Sequence, residues 1–141
     1  MRKYVIVGLI ASAVLLVGCA TPLTQSQKRE YQAMKSKGML IEEKNPGAGA
    51  ALGILPGGGS FYAREPGFGV VNLLFWPLSV LWDPVSGYEG AKSINYDASR
   101  QDIRKKKDQE VAALDDKLRA GAISNTEYLD QKQKVDQKYE Y

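Results

Sequence analysis

Residues 46–85 limit the fold more than any other stretch of this chain. The segment PGAGAALGILPGGGSFYAREPGFGVVNLLFWPLSVLWDP has only Arg64, Glu65 and Asp83 as charged residues, and it holds most of the 14 glycines and both tryptophans. Arg64-Glu65-Pro66-Gly67 divides it into two apolar arms, Pro46–Ala63 and Gly67–Trp82, which suggests a hairpin. Neither arm reads as a clean helix. Pro56-Gly57-Gly58-Gly59 interrupts the first and Pro77 the second, because proline removes a backbone donor and glycine weakens helix interiors.

An uninterrupted 18-residue helix would extend about 27 Å, just short of the bilayer hydrocarbon. Broken backbone at membrane depth is tolerated only where protein or a water cavity satisfies the freed groups. The turn carries one charge of each sign, so no positive-inside bias would hold it on the cytoplasmic side. A re-entrant or interfacial helical hairpin is therefore expected, with Phe61, Tyr62, Trp76 and Trp82 in contact with the membrane. The alternative is a soluble Gly-rich helical core whose aromatics pack inside. Gly47-Ala48-Gly49-Ala50-Ala51-Leu52-Gly53 lacks G-x-G-x-x-G spacing and no Gly-Lys-Ser follows, so the small residues point to close helix packing rather than nucleotide binding.

Leu55-Pro56-Gly57-Gly58-Gly59-Ser60-Phe61-Tyr62, followed by Gly67, Gly69, Leu73-Leu74 and a Trp-rich second arm, resembles the two-transmembrane-segment domain family over about forty residues. Extra prolines and shorter arms depart from that family. The resemblance implies no enzymatic role.

The amino end has its own logic. Arg2 and Lys3 precede an uncharged apolar run, Tyr4–Val17, and Leu16-Val17-Gly18-Cys19 follows. This is the layout of a secretory signal. It resembles the lipobox of bacterial lipoproteins, which implies cleavage between Gly18 and Cys19 and acylation of Cys19, several chains giving stable anchoring. Removing residues 1–18 takes two of the 19 cations, leaving 17 against 16 anions, so charge offers no argument for nucleic-acid binding. Ala20 stands where enterobacterial lipoproteins retained in the inner membrane tend to have Asp. The resemblance thus implies an outer-membrane anchor facing the periplasm, with the inner membrane as the alternative.

Residues 19–45 read as the lipidated cysteine and a polar tether. Thr24 or Ser26 could cap a short helix through Met34 that Gly38 stops, and Met39–Ile41 could form a short strand. Residues 86–97 carry turn signals and read as a linker. From Ala98 to Arg119 a charged helix is expected, with Ile103, Val111, Leu114 and Leu118 as its apolar stripe. Gly121 is placed to end that helix, and Ser124 with Glu127 has capping-box spacing, starting a second helix near Asn125. The run Arg104-Lys105-Lys106-Lys107 is flanked by Asp102, Asp108 and Glu110. It reads as a solvated face more readily than as a lipid-headgroup site.

The segment Leu114–Tyr128, LDDKLRAGAISNTEY, resembles the SHOCT (short C-terminal) domain, with correspondence from about Val111 to Lys138. That resemblance implies association through Leu114, Leu118, Ile123, Tyr128 and Leu129, with a second copy, another envelope protein or the chain's own body.

Chemistry is mostly excluded. With no histidine and one cysteine, no Ser-His-Asp triad, Cys-His dyad or intramolecular disulfide can form, and no zinc site or cofactor is expected. The carboxylates Asp83, Glu89, Asp97, Asp115 and Asp116 are scattered. Asp83, after Trp82 at the end of the apolar arm, is the most interesting; it shows no identifiable partner, and Asp-Pro commonly begins a turn. The expectation is a mainly α, non-catalytic, lipid-anchored envelope protein acting as a structural or interaction module. The alternative is an accessory lipoprotein that binds a lipid or hydrophobic ligand beside Phe61, Trp76 and Trp82.

Overall fold

The computed structural model describes residues 22–141, so the signal-like segment and Cys19 lie outside the described residues. Helix starts follow local chemistry. Asn45, in extended backbone, accepts the Ala48 N–H at 3.0 Å through its side chain, and Pro46 occupies the first helical position of a helix ending at Leu52. In chain order the helices are α1 (Gln25–Ser36), α2 (Pro46–Leu52), α3 (Gly58–Tyr62), α4 (Pro66–Leu74), a 3₁₀ turn (Leu78–Leu81), α5 (Asp83–Arg119) and α6 (Asn125–Lys138). No strand occurs among the described residues, and the fold is mainly α.

The chain divides into two units. Among the described residues, the first takes Pro22–Thr24 together with Glu42–Asn95; the second takes Gln25–Ile41 and Tyr96–Tyr141. Helix α5, 37 residues long, supplies Asp83–Asn95 to the first and Tyr96–Arg119 to the second.

Each apolar arm of the first unit is broken where its prolines and glycines fall: the first into α2 and α3, the second into α4 and the 3₁₀ turn. Helix α2 lies against the start of α5 at glycine distance. A Cβ on Gly49 would sit 2.3 Å from the Gly87 carbonyl oxygen, and one on Gly87 would sit 2.2 Å from that of Gly49. A Cβ on Gly53 would sit 2.3 Å from the Pro84 nitrogen. Further along, Lys44 N–H donates to Asn95 Oδ1 at 2.8 Å, and Asn95 Nδ2 returns a 2.7 Å bond to the Lys44 carbonyl. Numbers rise along α2 as they fall along α5, so the two run antiparallel.

Residues 86–97, expected as a linker with turns, are helical throughout, and the boundary between the two units falls within them, after Asn95. Gly87 and Gly90 disfavour helix locally, by about 1 kcal/mol each relative to alanine. The Gly49–Gly87 packing and the Asn95–Lys44 bonds exist only if the helix continues. Tertiary contact outweighs propensity here.

The second unit follows the sequence more closely. Gly38 past the end of α1 has φ +66°, and Gly121 past α5 has φ +69°. Ala122 N–H bonds the Lys117 carbonyl and Gly121 N–H that of Leu118, the paired pattern of a Schellman end. Ser124 and Glu127 complete the expected capping box at the start of α6. Tyr31 and Met34 on α1, and Tyr96, Ile103 and Leu114 on α5, form the buried apolar set of this unit. Residues 25–36 are the short helix expected within the tether, and it carries a buried face, Tyr31 and Met34, that a tether would not have. Met39–Ile41 is not a strand; Ile41 N–H donates instead to Ser99 Oγ at 2.8 Å.

Candidate functional site

Asp83 is the first residue of α5 and is fully buried. One carboxyl oxygen, Oδ2, accepts Gly59 N–H at 2.9 Å. The other accepts Ser60 N–H at 3.0 Å, Ser60 Oγ–H at 2.6 Å and Asn72 Nδ2 at 2.8 Å. Asn72 Nδ2 also donates to Ser60 Oγ at 2.9 Å, and Asn72 Oδ1 accepts Trp82 Nε1–H at 2.9 Å. Helix α3 has no cap of its own, since Gly57 stands at its N-cap. Asp83, 26 residues after Gly57, satisfies two of its free amide donors, those of Gly59 and Ser60. The knot thus ties α3, α4 and α5 together through polar groups.

The sequence left Asp83 without a partner. Its partners lie 11 to 24 residues away, and nothing in local spacing marks them. In retrospect the polar residues set singly in the apolar arms, Ser60 and Asn72, were the available signal, because a lone polar side chain in such a run must find a bond if buried.

The surface of the unit is the reverse of its interior. Buried polar side chains include Ser60, Asn72, Ser79, Asp83, Ser86 and Asn95. Of the fifteen large hydrophobic side chains exposed among the described residues, thirteen lie between Ile54 and Tyr88. Leu74 and Leu81 are 75% and 78% exposed. Single exposed apolar residues are ordinary; a concentration of this size on one short segment marks an interaction surface.

Three of the four residues expected at the membrane lie on this surface: Phe61, Trp76 and Trp82 are 44%, 53% and 37% exposed. Tyr62 is half-buried, and its hydroxyl accepts the Asn45 N–H at 2.9 Å. Cationic groups stand beside the tyrosines that border the apolar region. Lys44 Nζ lies 4.5 Å from the Tyr62 ring centre and Lys92 Nζ 5.2 Å from that of Tyr88. No helix among the described residues is long and apolar enough to cross a membrane.

The association residues of the second unit are distributed differently. Leu114 is buried in the chain's own fold; Leu118, Ile123 and Tyr128 are partly covered, and Leu129 is 65% exposed. Asp115 takes a hydrogen bond from the Tyr128 hydroxyl, which raises the tyrosine pKa above its ordinary value. Helices α5 and α6 are joined by Lys107–Asp136 at 2.7 Å and by Glu110, which accepts from Lys138 and from the Tyr139 hydroxyl. Both carboxylates titrate lower for that reason, held by hydrogen bonds from Lys107 on Asp136 and from Lys138 and Tyr139 on Glu110.

Within the basic run, Lys106 pairs with Asp102 at 2.8 Å, while Arg104 and Lys105 line an open groove of about 430 Å³ with Gln101, Asp108, Gln109 and Ala112. None of Phe61, Trp76 and Trp82 borders that groove. No known protein family, curated protein or solved structure matches this chain.

Proposed function

We propose that this chain is a non-catalytic, lipid-anchored protein of the bacterial envelope, held at the outer membrane through acylated Cys19 and facing the periplasm. Its Gly-rich unit lies against the bilayer. Its C-terminal helices serve association with a second copy or another envelope protein.

The observation that carries this reading is the inverted polarity of residues 54–88. In water such a surface would cost roughly 25 cal/mol for each Å² of apolar area left exposed. Against lipid that cost disappears, while every buried polar group still needs an internal partner. The Asp83–Ser60–Asn72–Trp82 knot supplies partners of that kind. Exposed apolar side chains outside and the hydrogen-bonded polar knot inside are both suited to one solvent, hydrocarbon.

The test joins the anchor to the surface. Metabolic palmitate labelling is expected to mark wild type and not Cys19→Ala, with wild type in the outer-membrane fraction of a density gradient. In vesicles containing brominated phospholipid, the fluorescence of Trp76 and Trp82 is expected to be quenched. Absence of label would remove the anchor from the proposal, and unquenched tryptophans would remove the surface.

A further inference from the structure

We propose that the first unit enters one leaflet of the bilayer and turns back within it, with residues 73–82 deepest. This rests on the membrane-contact reading of the same surface and adds depth and direction to it.

The levels within the unit follow from its contacts. Lys44 bonds Asn95 at one end of the α2–α5 pair. Gly49 meets Gly87 further along, beside the Tyr62 ring. Gly53 meets Pro84 next, where Gly59, Ser60 and Asn72 gather on Asp83. From that level the chain runs on through Ile54 and Leu55 in the first arm, and in the second Leu73–Trp82 joins Asn72 back to Asp83.

Charge is arranged along the same axis. Glu43, Lys44, Arg64, Glu89 and Lys92 all belong to the Asn95 end or to the turn before α4, and Arg64 pairs with Glu43. No charged residue occurs between Glu65 and Asp83, and Asp83 is enclosed. Lys92 is held by Glu89 at 3.3 Å, and Lys44 stands over the Tyr62 ring; cations and tyrosine rings at this level suit the headgroup layer, where such rings concentrate.

Length sets the depth. Helix α4 runs from beside the charged turn to Leu74, a rise of about 13 Å, close to half of a hydrocarbon core about 30 Å thick. The anchor is near as well. Leu23 is buried and belongs to the first unit, and the four residues back to Cys19 span at most about 14 Å of chain. Acyl chains on Cys19 would hold this unit at the surface of the leaflet they enter.

The experiment uses the full acylated protein added to preformed phosphatidylethanolamine–phosphatidylglycerol vesicles. Leu74→Cys, Leu81→Cys and Tyr88→Cys each carry an environment-sensitive fluorophore; wild type, whose sole cysteine is acylated, is the blank. All three side chains are exposed, so the label needs no space in the interior. The expected result is blue-shifted emission at 74 and 81 with loss of quenching by an impermeant reagent in either compartment, and quenching of 88 from the outside. Quenching of 74 or 81 from the lumen would overturn single-leaflet insertion and leave membrane contact standing. Water-like emission at 74 and 81, quenched from outside, would overturn both.

Discussion

The two units solve the burial problem with opposite surfaces. In the second, Tyr31, Met34, Tyr96, Ile103 and Leu114 are inside, and lysines, glutamates and aspartates cover the outside. In the first, serines, asparagines, glycines and one aspartate are inside together with Leu23, Ala63 and Ala91, and the leucines, tryptophans and phenylalanines between residues 54 and 88 that are exposed lie outside. The second unit is what water selects: apolar area is removed and surface ion pairs add little individually. The first relies on backbone approach at glycine and on directed hydrogen bonds, which is how helices hold together when the surroundings are as apolar as the side chains.

That contrast is open to direct attack. The largest effect is expected from Asp83→Ala, which leaves the Gly59 and Ser60 amides, the Ser60 hydroxyl and Asn72 short of an acceptor. A loss of about 3–5 kcal/mol is expected, because several buried donors lose their acceptor at about 1–3 kcal/mol each. Denaturation followed by the fluorescence of Trp76 and Trp82 checks it. An unchanged midpoint would mean the knot is not what holds the unit.

Next is Gly87→Ala, whose Cβ would meet the Gly49 carbonyl oxygen at 2.2 Å. Because that obstacle is backbone, a cost of about 1–3 kcal/mol is expected. Gly121→Ala in the second unit meets nothing within 4 Å and suffers only from its φ of +69°, for about 1–2 kcal/mol. Thermal melts of the pair separate crowding from conformational strain.

Ser124→Ala removes the cap of α6 and should cost about 1 kcal/mol, read as lost helical circular dichroism.

The smallest effects are expected on titration. Glu110 and Asp136 have depressed pKa values in the fold, so their contribution is present above the ordinary carboxylate range and is lost as pH falls through the folded values. The α5–α6 hairpin should therefore loosen below about pH 4, seen as faster amide exchange in α6. Tyr96 moves the other way. Burial, with the hydrogen bond it donates to Glu30, pushes its pKa up to about 12, so its contribution holds below pH 10 and is lost between 10 and about 12. Phenolate absorbance follows that window, and Tyr96→Phe should abolish it.

Much of the second unit was legible because its signals are local. Gly38, Gly121 and the Ser124–Glu127 box act within a turn of where they stand, and the stripe through Ile103 and Leu114 repeats with the helix. In the first unit, the breaks at Pro56–Gly59 and Pro77 were legible for the same reason. Residues 86–97 were misread because their glycines and asparagine look like turn residues until α2 is laid beside them.

The sequence by itself determined the helical class, the places where the apolar arms break, the caps of the C-terminal hairpin and the absence of any imidazole-based chemistry. Each of these depends on side chains within a few positions of one another. Only the tertiary structure decided that Asp83 holds the first unit together, that Gly87 and Asn95 lie within a continuous helix, and that the apolar side chains of residues 54–88 face outward. Those outcomes depend on pairs far apart in the chain, such as 49 with 87 and 60 with 83. Which side of a segment is inside is settled by what packs against it, and periodicity alone does not carry that information.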